Sequence, residues 1–361
     1  EYFNGAVIAT DYTDDIQTFD LVSGTNFAQL SPDAPRARHM AVVKNAFLVL
    51  GNTFDSTDGA AEQRVWWSAA GNAGSWPTPG SVTAAQLQSG FADLFGNDGQ
   101  IQAIRSGIAN ADAVIFKRYA VATMMYAGPP TDFSFLPAQG LRGTLSPYGP
   151  VVQGGVIYFP AFDGFYAFDG VNSQPIGADK IDKTFLADLS PLYLDRVFGV
   201  SDPANKLILW AYPGQGNVGG NPNRLLIYNW QLSRWSLAEV ESETLCRMLA
   251  IGYTLDELYT LLGYTLETLP APLDSPIWAG GNLALGLFDS SHKLNYLTGP
   301  TLASRIDTGE MQPFAGRRAM LRSSRPRVDG GTPSVAIGRR ERVQDNVSYT
   351  DAVALNSMGA C

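Results

Sequence analysis

The chain has 361 residues, of which 45% are hydrophobic and only 16% are charged, with 37 Gly and 22 Pro. Lys and Glu are too scarce for long surface helices, and this composition is typical of many short strands joined by turns. The net charge of −9 argues against high-affinity DNA binding by phosphate neutralisation, but not against a surface past which DNA slides. No apolar run reaches the roughly 18 residues that cross a bilayer, so we expect no membrane insertion.

The chain opens with EYFNGAVIAT, which lacks Met and already alternates like a strand. This opening segment does not have the pattern of a secretory signal, and we expect that an N-terminal portion of the fold precedes it. The two cysteines, Cys246 and Cys361, do not form a disulfide framework, and no CxxC pair is present for zinc.

One pattern recurs along the chain: two β-rich runs with a Gly/Asp/Asn turn between them, followed by an aromatic residue. Copies begin at YFNGAVIATDYTDD, HMAVVKNAFLVLG, IQAIRSGIANADA, GPVVQGGVIYF and RVFGVSDPANK, with a weaker copy at IWAGGNLALG. The starts lie about 40 to 60 residues apart, which is the spacing of propeller blades. One such unit is marginal alone, whereas a radial arrangement buries both of its faces. We therefore predict an all-β protein, a β-propeller of roughly five to seven blades; a β-sandwich with irregular hairpins is the alternative.

Short helices are predicted between the blades, because Thr83–Phe95 and Lys180–Ser190 have helix-like apolar spacing. GYTLDEL at 252–258 recurs as GYTLETL at 263–269, and Thr254 with Glu257 forms a capping-box pattern.

The predicted organisation has two parts. We place the propeller domain at residues 1–309, with an insertion at about 241–275, and a small Arg-rich β extension at 310–361 that lacks an obvious closing strand.

The segment YFPAFDGFYAFDG, residues 158–170, combines aromatic residues with Asp163 and Asp169. These two acids could be paired catalytic carboxylates, metal ligands or turn residues. Each precedes a Gly at the end of an aromatic-rich run, and Asp-Gly is the usual composition of a tight hairpin turn. The pattern therefore favours two turns, with the aromatic side chains filling the space between blades.

Other candidate catalytic features are weak. His39 and His292 have no second His or acidic motif nearby in the sequence, and DYTDD at 11–15 lacks the ligand spacing of a calcium loop. SAAGNAGSW resembles the turn of sialidase-like propellers, but Gly71 stands where that turn has its Asp and Ala73 where it has Gly. We predict no catalytic residue, no cofactor and no metal site.

The strongest charge feature lies near the end of the chain. From Thr301 onward there are nine Arg, no Lys and six acids, a net charge of +3, which leaves −12 for the first 300 residues. The candidate contact residues are Arg317, Arg318, Arg322, Arg325, Arg327, Arg339, Arg340 and Arg342. They fit contact with nucleic acid, contact with an acidic protein surface, or a solvated strand face. The acidic body favours subunit-to-subunit pairing over DNA binding.

Several motifs follow one another in a recognisable order: WWSAAGNAGSWPTP, AIRSGIANADAVIFKRYAVATMMYAGPP, GGVIYFPAFDGFYAFDG, LLIYNWQLSRWS and YTLETLPAPLDSPIWAGG. In this order and spacing the chain resembles the β-propeller virion proteins of tailed bacteriophages, particularly podovirus-type tail nozzle, hub or DNA-stabilisation proteins. The resemblance implies a structural protein of the virion, assembled in the host cytoplasm, and not an enzyme. Typically six copies form a ring below the portal and adaptor, touch the DNA transiently and non-specifically, and retain or guide the packaged genome.

Two other classes of function stay open. A carbohydrate-binding or depolymerising propeller at the tail tip predicts two convergent carboxylates and an exposed tryptophan, for instance Trp66, Trp67 or Trp210. A cellular scaffold propeller predicts binding to host proteins without any virion context.

Overall fold

The computed structural model describes residues 1–138, 142–249, 252, 254–260, 263–269, 272–274, 281, 283–297, 306–311, 320–327, 333–342 and 344–354. The chain divides into two compact units, Glu1–Gly299 and Pro300–Cys361. Within the described residues of the first unit, six antiparallel sheets form a six-bladed β-propeller. The predicted fold class, an all-β propeller of five to seven blades, is confirmed.

Each blade is an up-and-down meander in which consecutive strands pair. Blade 1 holds β1 (Tyr2–Phe3), β2 (Ala6–Ala9), β3 (Gln17–Asp20) and β4 (Ala28–Gln29). Blade 2 holds β5 (Arg36–Val43), β6 (Phe47–Asp55), β7 (Gly59–Trp67) and β8 (Gly90–Asp93). Blade 3 holds β9 (Ile101–Ser106), β10 (Ala113–Lys117), β11 (Val121–Gly128) and β12 (Asp132–Pro137).

Blade 4 holds β13 (Val151–Gln153), β14 (Val156–Ala161), β15 (Gly164–Phe168) and β16 (Ser173–Pro175). Blade 5 holds β17 (Phe198–Asp202), β18 (Leu207–Tyr212), β19 (Arg224–Asn229) and β20 (Arg234–Glu239). The described strands of blade 6 are β21 (Thr244–Leu249), β22 (Leu283–Phe288) and β23 (Leu294–Tyr296).

The second unit contains two small two-stranded ladders in its described part. β24 (Ser334–Val335) pairs with β27 (Val353–Ala354), and β25 (Gly338–Arg339) pairs with β26 (Ser348–Tyr349). The predicted small C-terminal β extension is thus present.

In blades 2 to 6 the first strand is the innermost strand. β5 contacts β9, β13 contacts β17, and β17 contacts β21, as the inner strands of neighbouring blades do around a central axis.

Aromatic side chains fill the space between the blades, as the sequence predicts. Phe159 of blade 4 packs edge-on against Phe116 of blade 3 at 4.9 Å, and Phe165 of blade 4 lies 4.8 Å from Trp210 of blade 5. Phe159 and Phe165 are both 0% exposed. Each such ring contributes about 2 kcal/mol through burial, so the aromatic layers hold neighbouring blades together.

Outer hairpins begin with an Asp or Asn that follows an aromatic residue or a β-branched run. Asp20 and Asn229 end the third strands of blades 1 and 5, and Asp169 directly follows the third strand of blade 4. Each of these side chains accepts two backbone N–H groups from the turn that follows. Asp289 does the same after β22. These local hydrogen bonds satisfy the backbone N–H groups of the turn, so the turn needs no contact with another blade.

Three short α-helices are described: α1 (Val82–Leu87), α2 (Asp182–Asp188) and α3 (Leu255–Thr260). Among the described residues, no helix is long and apolar enough to cross a membrane. α2 lies inside the predicted helix Lys180–Ser190. The capping box before α3 is confirmed, because the backbone N–H of Thr254 donates to the Glu257 carboxylate at 2.7 Å and the Glu257 N–H donates to Thr254 Oγ1 at 3.3 Å.

The predicted helix Thr83–Phe95 is wrong in its second half. α1 ends at Leu87, where Gln88 adopts a left-handed conformation with φ 57°, and Gly90–Asp93 becomes strand β8 beside β7. Packing overrides the helical spacing here, because Phe91 lies 5.4 Å from Trp66 and Asp93 binds Arg64 at 2.7 Å.

The predicted insertion at 241–275 overlaps blade 6. Its residues Thr244–Leu249 form β21, which pairs along its full length with β22. The stretch between these two strands runs from 250 to 282, and α3 is its described helix.

Candidate functional site

Asp163 and Asp169 stand at opposite ends of β15. Asp163 lies in the turn between β14 and β15, where Ala161 pairs with Gly164, and Asp169 follows the last residue of β15. Five strand residues separate the two ends by roughly 16 Å, so these carboxylates do not face one cleft. Backbone N–H groups of Asn172 and Val171 lower the pKa of Asp169, and the predicted interpretation of both Asp-Gly pairs as turns is confirmed.

Asp163 belongs to a surface group that we call the hairpin cluster: Arg118, Tyr119, Arg142, Phe162, Asp163 and Tyr166. The Asp163 carboxylate lies 2.8 Å from Nε of Arg142 and accepts a hydrogen bond from the Tyr166 hydroxyl at 3.0 Å. Burial, followed by the bond to Asp163, raises the pKa of Tyr166. Tyr166 therefore stays protonated and acts as a donor.

The aromatic half of the hairpin cluster joins blades 3 and 4. The rings of Tyr119 and Phe162 are 5.5 Å apart, and the Arg118 guanidinium carbon lies 5.7 Å from the centre of each ring. Tyr119 is 55% exposed. An exposed ring beside a carboxylate and two guanidinium groups can bind a polar ligand that also has an apolar face.

Asp182, the first residue of α2, is a second carboxylate near Asp163 that sequence reasoning missed. Its Oδ1 accepts the backbone N–H of Phe165 at 3.1 Å. A Cβ at Gly164 or at Gly177 would collide with this carboxylate, so the two glycines form its cradle. Burial is the main cause that raises the pKa of Asp182. The negative charge of Asp163 raises this pKa further, whereas the hydrogen bond from the Phe165 N–H lowers it.

Asp182 has an evident structural role and only a weak chemical signal in the sequence. It ties the turn of the β14–β15 hairpin to the connection that leads into blade 5. The sequence signal that could have identified Asp182 is the presence of Gly164 and Gly177 before it, which leave room for its carboxylate. This signal is not a local pattern, because 17 residues separate Asp182 from its backbone partner, Phe165.

The tryptophans named for a sugar-binding role are buried. Trp66 is 8% exposed, Trp67 is 4% exposed and Trp210 is 0% exposed. All three face the packed interior between strands, so none of them offers a ring to a sugar. This part of the carbohydrate hypothesis is wrong.

Part of the SAAGNAGSW segment lines a shallow, open pocket of about 210 Å³ beside blade 1. The indole N–H of Trp76 donates to the Ala73 carbonyl at 2.7 Å, and the Asn72 side chain accepts the Gly74 N–H at 3.0 Å. Apolar Phe3 and Ile8 of blade 1 also line this pocket.

The two histidines have different environments. Burial, helped by the charges of Arg105 and Arg38, lowers the pKa of His39 to about 3, so this ring is neutral at pH 7. His292 is exposed, and its Nδ1 lies 2.8 Å from Glu243, whose bond raises the pKa of His292. The sequence missed this pair because 49 positions separate its members.

The acidic stretch at 11–15 forms a turn in which Asp11 accepts the N–H groups of Thr13 and Asp14, both at 3.0 Å. No group of three or more His, Cys, Asp or Glu side chains suited to hold a metal occurs in the part of the chain that the structure describes. Cys246 is a free thiol whose pKa is raised by burial, and Cys361 lies outside the described residues.

Most of the candidate arginines are exposed on the second unit. Arg322, Arg325, Arg327, Arg339 and Arg342 are exposed. Arg340 is half-buried and binds Glu310 through Nε at 2.7 Å and through Nη2, which raises the pKa of Arg340. Arg317 and Arg318 lie outside the described residues, and the contact role of the whole set stays a prediction.

No protein-family model matches the chain, and no curated protein matches it. Among solved structures, an ancestral GH74 enzyme is 13% identical over 82% of this chain and 42% of its own length, with a TM-score of 0.39. Hsv2 of Kluyveromyces lactis is 11% identical over 66% of this chain and 83% of its own length, with a TM-score of 0.29. The chain thus spans less than half of the enzyme, and likenesses at these TM-scores carry no argument about function.

Proposed function

We propose that the protein is a non-catalytic structural component of a bacteriophage tail, a nozzle or hub below the portal and adaptor. Several copies, typically six, form a ring that is part of the DNA conduit and retains or guides the packaged genome. The proposal rests on the resemblance of the ordered sequence motifs, and the propeller fold is compatible with it.

One observation supports the assembly step most directly. Five arginines are exposed on the unit Pro300–Cys361, which has a net charge of +3, while the propeller unit has −12. A copy with two surfaces of opposite charge binds the next copy head to tail, and such heterologous contacts close into a ring when the rotation permits.

The acidic propeller fits the role of a conduit wall. Phosphates of DNA are repelled by a surface with excess carboxylate, so the genome moves past it without binding tightly. Of these carboxylates, Asp11, Asp20, Asp55, Asp169, Asp202 and Asp289 accept turn N–H groups and keep fixed positions.

The test uses DNA-filled particles that carry portal and adaptor but lack this chain. Purified protein is added, and the particles are imaged by cryo-electron microscopy. We expect an additional ring at the adaptor and slower loss of DNA. Particles without added density, at protein concentrations that keep the chain folded, would contradict the proposal.

A second candidate function is glycan binding at the hairpin cluster. It is favoured by the exposed ring of Tyr119 beside the Arg142–Asp163 pair, which is 2.8 Å apart. A glycan array with the wild-type chain and Tyr119→Ala tests it, with Tyr193→Ala as a matched control on a different blade connection. Saturable binding that only Tyr119→Ala abolishes, together with no ring on the particles, would replace the first proposal by the second.

A further inference from the structure

Hydrophobic clusters fill the junctions between neighbouring blades. Five such clusters are described, and they join blades 1 and 2, 2 and 3, 3 and 4, 4 and 5, and 5 and 6. Within the described ranges, no cluster of this kind joins blade 6 to blade 1. The side of blade 1 that faces away from blade 2 therefore lacks the apolar packing that both sides of blades 2 to 5 receive.

This side of blade 1 carries exposed apolar residues. Val7 pairs with Tyr2 and with Phe19, so these three side chains lie on one side of the sheet. The ring of Phe27 lies 5.3 Å from that of Phe19 and extends the group. Tyr2 is 62% exposed and Phe27 is 53% exposed, whereas Ile8 on the opposite side is 2% exposed. We call Tyr2, Val7, Phe19 and Phe27 the blade 1 face; an exposed apolar group of this kind is typical of an interaction surface.

The part of the chain that contains the blade 1 face is acidic. Residues 1–35 contain six acids and no Lys or Arg, a net charge of −6, which is half of the −12 of the first 300 residues. Arg36 and Arg38 of β5 contact the turn at 11–15. With these two cations included, residues 1–38 still carry −4. A partner with positive charge is therefore favoured here.

Asp15 places part of this charge beside the blade 1 face. Gln17 and Phe19 lie two positions apart in β3 and point to the same side, and Gln29 pairs with Gln17. The Asp15 carboxylate accepts a hydrogen bond from Gln29 Nε2 at 2.9 Å, so it lies at the rim of the face. Asp14 and Asp15 are both exposed. A partner that binds this surface needs apolar and cationic side chains close together.

The second unit has no hydrophobic core in its described part. None of its described residues is buried, and its two described ladders have two residues in each strand, which is marginal for independent stability. Ile306 is 89% exposed and Met311 is 80% exposed. A unit of this kind is stabilised when it binds to another surface.

One segment of the second unit, residues 320–327, has the combination of side chains that the blade 1 face requires. Its sequence is MLRSSRPR, which contains three arginines and no acid. Met320 is 83% exposed and Leu321 is 61% exposed. The three arginines are exposed as well: Arg322, Arg325 and Arg327. The segment is thus apolar at its start and cationic along the rest of its length.

We propose that segment 320–327 of one copy docks on the blade 1 face of a second copy. Met320 and Leu321 cover the exposed rings, and the arginines pair with Asp14 and Asp15 through charge-assisted hydrogen bonds. Each copy has one surface of either kind, so the contact is head to tail and can be repeated around a ring. The inference rests on the proposed ring of copies, and it names the contact that holds neighbouring copies together.

Cysteine cross-linking between copies tests this contact. The full chain with Cys246→Ser and Cys361→Ser is prepared in two differently tagged populations, one with Gln29→Cys and the other with Ser323→Cys. The populations are mixed at 50 mM NaCl and treated with a short bismaleimide. We expect covalent pairs that contain both tags. Gln231→Cys, in the outer hairpin of blade 5, replaces Gln29→Cys as the matched control and should give none.

Three cross-linking results would overturn the proposal. The first is the absence of mixed pairs, and the second is an equal yield of mixed pairs with Gln29→Cys and with Gln231→Cys. The third is a chain that carries Gln29→Cys and Ser323→Cys together and cross-links only within itself, because the blade 1 face would then be covered by the chain's own segment.

Loss of an apolar anchor should weaken the association of copies. Phe27→Ser removes one exposed ring of the blade 1 face, and we expect the dissociation constant measured by sedimentation velocity to rise about tenfold. Leu232→Ser, which truncates a 66% exposed side chain on blade 5, is the control and should leave the constant unchanged. Circular dichroism checks the fold of Phe27→Ser; if this variant is unfolded, the cross-linking decides. Equal constants in the two folded variants would contradict the proposal.

Failure of this contact and failure of the proposed function give different results. Mixed pairs in solution, together with no ring on adaptor-bearing particles, would keep the contact and remove the tail role. A ring on the particles without mixed pairs would keep the tail role and overturn the contact.

Discussion

At the scale of single residues, the polar groups that look chemical in the sequence mostly hold turns. Asp163 and Asp169 were distinguishable as turn residues because each precedes a glycine at a strand end. Asp182 was not, because its role depends on the cradle that Gly164 and Gly177 form around its carboxylate. Such a contact is created by the fold and leaves no local pattern.

Gly164→Val should destabilise the protein strongly. Gly164 has φ 149°, and a Cβ there collides with the Asp182 carboxylate, so the change combines backbone strain with displacement of a half-buried acid. We expect the free energy of unfolding to fall by about 3 kcal/mol or more in urea titrations. Asp163→Asn, which weakens the exposed contacts of this side chain with Arg142 and Tyr166, should cost less than about 1 kcal/mol; equal effects of both changes would refute the cradle.

His39 should make the fold sensitive to acid. Its pKa is lowered to about 3 in the folded chain from the ordinary histidine value of 6.5, so below pH 6.5 the unfolded chain binds a proton that the folded chain does not. Stability is therefore lost as pH falls from about 6.5 towards 3, at up to about 1.4 kcal/mol per pH unit. His39→Gln should flatten urea-derived stability between pH 6.5 and 4.5, whereas the exposed His292→Gln should not; parallel curves for His39→Gln and wild type would exclude this role.

At the scale of secondary-structure elements, hairpins were easier to predict than helices. The hairpins of blade 4 follow from Asp-Gly turns between aromatic-rich runs, which are local signals. The helix predicted for Thr83–Phe95 failed in its second half because Phe91 and Asp93 are fixed by Trp66 and Arg64 of the neighbouring strand. Such contacts between residues distant in the sequence outweigh the helix propensity of a segment of only a few residues.

Phe165→Ala should loosen the contact between blades 4 and 5. Its ring is 0% exposed and lies 4.7 Å from Phe185, 4.8 Å from Trp210 and 5.0 Å from Trp235. Truncation leaves a cavity within this aromatic group, and we expect a loss of about 3 to 5 kcal/mol in chemical unfolding. Tyr119→Ala, a truncation of a 55% exposed ring, is the control and should cost less than about 1 kcal/mol. Comparable losses would mean that the aromatic layer does not hold the blades.

At the scale of the whole molecule, the fold class could be predicted from the sequence, whereas the blade boundaries were predicted less well. Recurring β-rich units predict a propeller, since a single unit cannot bury both faces. The contacts of β5 with β9 and of β17 with β21 could not be predicted beforehand, because only the radial arrangement of the blades brings these separate strands together.

Assembly should depend on salt if the exposed arginines join copies. The screening length is about 10 Å at 0.1 M salt and about 3 Å at 1 M, so attraction between the oppositely charged units weakens steeply. Mass photometry should show larger assemblies at 50 mM NaCl and monomers at 1 M. The triple change Arg322→Ser, Arg325→Ser and Arg327→Ser should give monomers at both salt concentrations. The control triple change Lys183→Ser, Arg196→Ser and Arg234→Ser on the propeller should leave the assemblies at 50 mM NaCl in place. Assemblies that ignore both salt and the first triple change would refute the charge mechanism.

The pairing of consecutive strands has a consequence for synthesis on the ribosome. Every described sheet of the propeller joins strands that are neighbours in the chain, so each sheet can form once its own last strand has left the exit tunnel. Loop closure then spans tens of residues and not hundreds, which keeps the entropic barrier of each step small. The blades can thus be added in the order of translation, each newly formed sheet covering the open face of the one before it.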